Sequence, residues 1–234
     1  MNGANDPAAP RRTPYRIETR RLVLRPYAPA DAGALRDVCA ANRDHLLPWL
    51  TWAEADPQTL DEKLDLVLRF RALYDREEKW VMGLFDRDGG ALLGGSGYHD
   101  AGADPRRVRE VGYWIAREHA GRGLVTEAVV ALVSVAFRWL RCAAVVIRCQ
   151  PENGPSRAIP ERLGFTDEGL QRAALTPPGH APLDAHRYSL TRREFEAGRA
   201  GFDAPLAAFD ALGRELPLDD CGVRAGRSVW LGRC

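Results

Sequence analysis

A strand, a glycine turn and an amphipathic helix follow one another without a break in residues 111–139. Residues 111–116 are a short apolar and aromatic run, residues 120–123 contain two glycines, and apolar residues then recur from Leu124 with helical spacing. Such a turn leaves backbone N–H groups unpaired at the positive end of the helix dipole, with no glycine side chain to keep an anion away. The stretch therefore predicts a cradle for a pyrophosphate.

Two glycines before a helix are a weak signal alone, and the commoner phosphate motifs are absent. The sequence has no Gly-Lys-Ser/Thr of a nucleotide P-loop, and Val125 and Thr126 stand where a dinucleotide fingerprint needs its third glycine. The stretch resembles motif A of the GNAT superfamily of acyl-CoA-dependent N-acetyltransferases. GYWI before it and TEA after it are similar to the RimJ/RimL branch, which acetylates protein N-termini.

The resemblance implies acetyl-CoA as co-substrate and no metal. It assigns the pyrophosphate to the turn and the first turn of the helix: Gly121, Arg122, Gly123, Leu124, Val125 and Thr126. It assigns the pantetheine arm to Trp114, Ile115 and Ala116, along which the arm would lie like an added strand. Ala120 and Val125 depart from the family pattern, but backbone N–H groups hold the phosphates, so neither change need abolish binding.

A second signature follows the helix. Residues 143–150 (AAVVIRCQ) indicate a buried strand, and from Asn153 the spacing Asn-x-x-Ser-x6-Leu-Gly-Phe resembles the second GNAT signature. Asn153 is expected to cap a short helix and to contact CoA. The opening pattern IET-x-RL-x-LRP, beginning at Ile17, is also similar to the RimJ/RimL branch, so the resemblance covers about residues 16–197.

The predicted fold class is mixed α/β. The resemblance implies a GNAT fold, a mostly antiparallel twisted sheet of six to seven strands flanked by helices and splayed at the acetyl-CoA site. We expect a flexible arm at residues 1–15, the acetyltransferase domain at 16–197, and a C-terminal extension at 198–234. Within the extension, residues 203–216 suggest an amphipathic, turn-rich helix and residues 228–233 a strand, packed on the domain or on a second subunit.

Composition and charge limit the classes of molecule that the protein is expected to bind. The formal net charge is +1 and no run approaches a membrane span, so neither nucleic acid nor membrane is expected as a partner. Five cysteines without paired short spacing indicate reduced thiols and no metal site. We expect a cytoplasmic protein, and a homodimer is possible.

The catalytic acid is the first open question. Many GNAT enzymes carry a tyrosine seven residues after the signature asparagine, but this chain has Pro160 there, which has no proton to give. The RimJ/RimL branch carries a serine at the position of Ser156, and the resemblance implies that Ser156 protonates the departing CoA thiolate. The competing interpretation is that Ser156 satisfies a free backbone N–H at the helix start. A proline at position 160 also predicts a kink in the helix.

The sequence also leaves alternatives for the general base and for the residues that line the acceptor groove. Glu110 lies on the strand where many relatives carry a catalytic glutamate, although a solvated carboxylate, His99, His119 or a water chain are alternatives. HLLPWLTW resembles the segment that shapes the acceptor groove of this branch, which makes Trp49 and Trp52 substrate-side candidates. The alternative is that these two large side chains fill space in the hydrophobic core.

The leading functional prediction is acetyl transfer from acetyl-CoA to a protein N-terminal α-amine by direct attack. An α-amine has a reference pKa of about 7.7–8.0 against about 10.4 for lysine, so it needs less help from a base. One alternative acceptor is a small amine such as an antibiotic, polyamine or amino acid. The other alternative is a CoA-binding regulatory protein that has lost catalysis.

Overall fold

A single open sheet organises the computed structural model, which describes residues 11–87, 90–101, 107–198 and 201–218. The described strands are β1 Arg16–Glu18, β2 Leu22–Pro26, β3 Trp80–Asp86, β4 Leu92–Asp100, β5 Val108–Ile115, β6 Ala144–Cys149, β7 Thr166–Leu175, β8 Leu183–Thr191 and β9 Ala207–Phe209. Their order across the sheet is β7-β8-β6-β5-β4-β3-β2-β1-β9.

Helices lie on both faces of this sheet. The described α-helices are α1 Ala32–Ala41, α2 Arg43–Leu46, α3 Leu60–Asp75, α4 Leu124–Arg138, α5 Gly154–Arg162 and α6 Arg192–Glu196. Short 3-10 turns occupy Pro29–Asp31, Thr51–Ala55 and Arg117–His119. Thr191 caps α6 in a reciprocal capping box with Glu194, as the sequence predicts.

The core divides into two layers because successive strand residues point to opposite faces. Leu84 joins the cluster on the α4 side, whereas its neighbour Phe85 joins the cluster beneath α1 and α3. Residues 128–137 of α4 are all buried, and most are alanine or valine, so the helix lies close against the strands. This packing fixes the start of α4 relative to the end of β5.

The sheet opens between β5 and β6, the one parallel pair among the described strands. These strands are paired from Val108↔Ala144 to Glu110↔Val146. Beyond that point β5 stays with β4 as far as Ile115, and β6 stays with β8 as far as Cys149. We call the gap between residues 111–115 and 147–149 the splay cleft. A mixed α/β architecture with a splayed, mostly antiparallel sheet is thereby confirmed.

Two details of the predicted fold are wrong. The sheet has nine described strands instead of six to seven, because a turn after Glu18 divides the first strand in two and β9 adds another at the edge. The helix predicted for residues 203–216 is absent. Instead β9 pairs with β1, and Phe209 forms an isolated bridge with Glu215. The strand predicted for residues 228–233 lies outside the described residues.

No helix in the described part of the chain has both the length and the apolar character needed to cross a membrane.

Candidate active site

The turn before α4 has the geometry of an anion cradle. Gly121 and Gly123 have φ values of +72° and +73°, a conformation that side chains disfavour. A Cβ added at Gly121 would meet nothing within 4 Å, so the space above the turn is open. None of the backbone N–H groups of residues 121–126 donates to an acceptor within the described residues. These donors, at the start of a 15-residue helix, are free to bind an anionic group.

A network from the β1–β2 turn fixes the cradle. One Glu127 carboxylate oxygen accepts from the Thr19 hydroxyl at 2.7 Å and from the Arg21 N–H at 2.9 Å. The other accepts from Arg21 Nε at 2.6 Å, and Arg21 Nη1 donates to the Arg122 carbonyl at 2.9 Å. Burial raises the pKa of Glu127, but these hydrogen bonds outweigh burial and hold the pKa below its usual value.

Sequence reasoning missed the roles of Arg21 and Glu127. Both residues lie in segments that carry the family resemblance, the RL of the opening pattern and the TEA after the cradle. The resemblance was the one signal that could have found them, since about a hundred residues separate the partners (|i−j| = 106).

The end of β5 supplies a strand edge to the splay cleft. Trp114 and Ile115 pair with Gly95 and Gly94 of β4, and the Ala116 N–H donates to the Leu93 carbonyl at 2.8 Å. The opposite edge of this segment has no strand paired to it among the described residues. An extended chain can lie along such an edge as an added strand. The geometry fits the predicted position of a pantetheine arm.

Ser156 faces the splay cleft in the first turn of α5. Its backbone N–H is capped by Asn153 Oδ1 at 3.2 Å, so the predicted cap role of Asn153 is confirmed. The Ser156 hydroxyl is therefore not needed to cap this N–H group. It lies 3.3 Å from the Tyr113 hydroxyl and 3.2 Å from Cys149 Sγ. The structure thus joins β5, β6 and α5 around one hydroxyl.

The neighbours of Ser156 are neutral groups. Burial, together with nearby Cys149, raises the pKa of Tyr113 well above its ordinary value of 10.0. Burial also raises the pKa of the Cys149 thiol, against the opposing effect of its hydrogen bonds to Ser156 and Tyr113. Neither group carries a charge near neutral pH. The cluster can donate and accept hydrogen bonds without a fixed charge competing with a thiolate.

The other candidate acid–base residues lie elsewhere. Glu110 sits on the face of the sheet that carries α1 and α3, where Arg148 donates to its carboxylate through Nε at 2.9 Å and through Nη2. His99 packs against Gly112, and burial lowers its pKa to about 4, so it is neutral at pH 7. His119 lies in the 3-10 turn beside the cradle, 3.3 Å from the Arg122 guanidinium. No contact between described residues brings these three to Ser156.

The two tryptophans border the splay cleft on the α1 and α3 side. Trp52 is 42% exposed and meets the Trp114 ring edge-on, with 5.8 Å between ring centroids. The Trp49 carbonyl accepts from Gln150 Nε2, just after β6, at 3.0 Å. The segment that carries them therefore spans the end of β5 and the end of β6. This arrangement fits a substrate-side position, on the opposite face of the sheet from α4.

A contact between loops extends this segment across the sheet. His180, in the loop between β7 and β8, lies 3.2 Å from the Glu54 carboxylate in the Thr51–Ala55 turn. Both side chains are partly exposed. The Thr51–Ala55 turn and the loop between β7 and β8 are therefore in contact.

Within the described residues, no three His, Cys, Asp or Glu side chains are grouped so as to hold a metal ion.

Comparison with known proteins bears on the whole domain. Residues 21–166 match the family model described as an acetyltransferase (GNAT) domain. A putative ribosomal N-acetyltransferase of Bacillus subtilis, YdaF, is 34% identical over 177 residues, which is 75% of this chain and 93% of that protein. The [ribosomal protein uS5]-alanine N-acetyltransferase of Escherichia coli is 28% identical, with 70% and 84% covered.

Solved structures agree with these relatives. A crystal structure of a probable acetyltransferase is 34% identical, with a TM-score of 0.66 over 75% of this chain and 95% of that one. The structure of Mycobacterium smegmatis RimJ in complex with CoA-disulfide is 25% identical, with a TM-score of 0.64 over 80% and 96%.

Proposed function

Because the chain belongs to the GNAT acetyltransferase family, we propose that it moves the acetyl group of acetyl-CoA to the α-amine at the N-terminus of a protein. The support for the donor is the arrangement along β5. The free edge of residues 114–116 lies between Tyr113, which touches Ser156, and the open N–H groups of the cradle. The support for the acceptor is that relatives named for ribosomal-protein acetylation match 70–75% of the chain.

Binding of the donor follows from these groups. The pyrophosphate would accept hydrogen bonds from the N–H groups of residues 121–126, which the α4 dipole favours. The pantetheine arm would pair with the free edge of residues 114–116 and carry the thioester towards Ser156. Asn153 would lie beside the same arm as a CoA contact.

The transfer itself balances without a cofactor. The amine nitrogen forms a bond to the thioester carbonyl carbon, the C–S bond breaks, and the nitrogen loses one proton while the sulfur gains one. Ser156 is proposed to hydrogen-bond the departing sulfur and to pass it a proton, which the hydroxyl regains from the amine nitrogen, so that Ser156 is unchanged at the end. At pH 8 about half of an α-amine is already neutral, against well under about 1% of a lysine amine. The amine's own pKa thus removes much of the need for a base.

Glu110 remains the candidate base, under a condition that the structure adds. Its carboxylate is hydrogen-bonded to Arg148, whose Nη1 also donates to the Ala174 carbonyl at 2.5 Å. Both Arg148 bonds to the carboxylate end on Oε2, and the guanidinium favours the charged carboxylate, so a proton transfer from the amine, direct or through a water, would weaken this ion pair. Trp49 and Trp52 are proposed to border the acceptor on the same face of the sheet as Glu110.

The test is acetyl-CoA consumption by the purified protein, followed as thiol release. The acceptors are short peptides beginning with alanine, serine or methionine, each matched with an N-terminally blocked copy that contains the same lysines, and a set of small amines. We expect turnover on free N-termini that disappears in the blocked copies. Turnover on small amines alone would move the acceptor to that class, and CoA binding without any turnover would overturn the proposed activity.

A further inference from the structure

Pro160 changes the hydrogen bonding of α5 at one position. In a regular helix the N–H of residue 160 would donate to the carbonyl of Ser156, four residues earlier, but proline has no N–H. The helix nevertheless runs from Gly154 to Arg162 with Pro160 buried inside it. The Ser156 carbonyl instead accepts from the Tyr113 hydroxyl, at 3.0 Å.

The same phenol meets the Ser156 side chain. Ser156 Oγ donates to the Tyr113 oxygen at 3.3 Å, while the Tyr113 hydroxyl donates its own hydrogen to the Ser156 carbonyl. Tyr113 therefore binds Ser156 twice, once through the main chain and once through the side chain. Cys149 Sγ, at 3.2 Å, touches Oγ as a third contact.

We infer that Tyr113 is the positioning residue for Ser156, and that Pro160 makes this possible by leaving the Ser156 carbonyl for the phenol. The inference rests on the proposed acetyl transfer, in which Ser156 serves the departing sulfur. The phenol that many family members carry on the helix is, in this chain, supplied from β5. It acts through the serine, in place of acting on the sulfur directly.

A serine in the first turn of a helix has other rotamers, in which its hydroxyl bonds back to a nearby main-chain carbonyl. The oxygen of Tyr113 competes with that alternative and keeps the Oγ–H on the cleft side. When the C–S bond breaks, the Oγ–H turns from Tyr113 to the sulfur and passes its proton there, and Oγ takes up the proton that the amine nitrogen loses. The Tyr113 hydroxyl keeps its own proton and goes on donating a hydrogen bond to the Ser156 carbonyl. The phenol is neither consumed nor charged during the transfer.

The experiment compares Tyr113→Phe, Ser156→Ala and the double variant with the wild-type protein. We expect Tyr113→Phe to lower kcat about tenfold while the KM for acetyl-CoA stays within about twofold. In the Ser156→Ala background the same change should cost less than about twofold, because a residue that acts through Ser156 has nothing left to position. The pH profile of kcat should keep its shape, since the raised pKa of Tyr113 lies above the range of the assay.

Tyr188→Phe is the matched control. The Tyr188 hydroxyl holds the same helix, accepting from Arg157 at 3.0 Å and donating to Glu161 at 2.8 Å, without touching Ser156. We expect it to lower Tm but not kcat. A purely structural role for Tyr113 would give the two phenylalanine variants the same pattern, and would overturn the inference.

Pro160→Ala tests the role of the carbonyl separately. The new N–H would compete with Tyr113 for the Ser156 carbonyl, so kcat should fall while the helix is not weakened. Full kcat in Pro160→Ala, or independent losses in the Tyr113 and Ser156 variants, would overturn the inference. Failure of the proposed function looks different, because the wild-type protein itself would then acetylate no amine.

Discussion

At the scale of single residues, Gly123 combines a positive φ with a place on the cradle. Replacing it by Asp puts a carboxylate where the pyrophosphate is proposed to bind, whereas Asn has nearly the same size and backbone preference but no charge. We expect both variants to lose about 1 kcal/mol of folding free energy, the ordinary cost of a side chain at this φ. Only the Asp variant should lose CoA affinity by more than about tenfold, measured by calorimetry.

The surroundings of Gly123 can accept either side chain, so a difference in CoA affinity between the two variants would not come from unfolding of the turn. A Cβ at this position would lie 3.7 Å from the Arg21 guanidinium, so a carboxylate there has a cation nearby and need not unfold the turn. Thermal melts of the two variants should therefore agree. Equal CoA affinities for the Asp and Asn variants would remove the pyrophosphate from this turn.

At the scale of elements, the start of α4 is held by a turn more than a hundred residues away in the chain (|i−j| = 108 for the Thr19–Glu127 bond). Replacing Glu127 by Gln removes the charge that Arg21 and Thr19 bind, so we expect Tm at pH 7 to fall by about 2–4 °C. The folded pKa of Glu127 is below the unfolded value of 4.5, so its contribution is present above that pH and is lost as the pH falls through the folded pKa. The difference between wild type and variant should shrink below about pH 4.

Glu118 provides the control for this pH dependence. It lies in the 3-10 turn before the cradle with its side chain 73% exposed, so Glu118→Gln should leave Tm unchanged across the same range. A Glu127→Gln variant whose Tm difference stays constant down to low pH would show that the carboxylate does not hold the turn. Loss of CoA affinity without loss of Tm would place its role in binding alone.

Elements were predictable where the signal is local. Apolar spacing, turn residues and capping residues within about a dozen positions predict four features of the fold. These are the bounds of α4, the Thr191 cap, the Asn153 cap and the β3–β4 hairpin. The contacts that shape the site are of another kind. Tyr113 meets Ser156 across 43 positions, and Arg21 meets Glu127 across 106. Residue spacing carries no record of such pairs, so they required the three-dimensional structure.

At the scale of the whole molecule, the C-terminal extension shows why the sheet was undercounted. Residues 203–216 have apolar spacing that fits a helix, but they include Pro205 and Gly213, and the short β1 strand offers an unpaired edge nearby. Pairing with that edge outweighed local propensity, since an edge strand leaves backbone groups unsatisfied until something covers it. Strand partners distant in sequence are set by the assembled sheet and not by the segment itself.

The extension also packs on its own domain through a buried aromatic residue, Phe202. Phe202 is 5% exposed and lies 5.4 Å from the ring of Phe195, while the Phe202 carbonyl accepts from Ser134 Oγ at 3.3 Å. Leu212, in the same extension, is 76% exposed. Variants at these two positions therefore distinguish the effect of losing a buried side chain from the effect of any mutation in the extension.

Phe202→Ala should cost about 3 kcal/mol, because it removes a buried ring and leaves a cavity against the α4 and α6 side chains. For a chain of this length that corresponds to a fall in Tm of about 6–12 °C, whereas Leu212→Ala should change Tm by less than about 1 °C. Both variants should bind CoA normally, since Phe202 contacts α4 at Ser134, well away from the cradle at the start of that helix, and Leu212 is exposed. A Tm for Phe202→Ala that equals the wild-type value, or a deficit that varies with protein concentration, would mean that the extension is held by a second subunit instead of by its own domain.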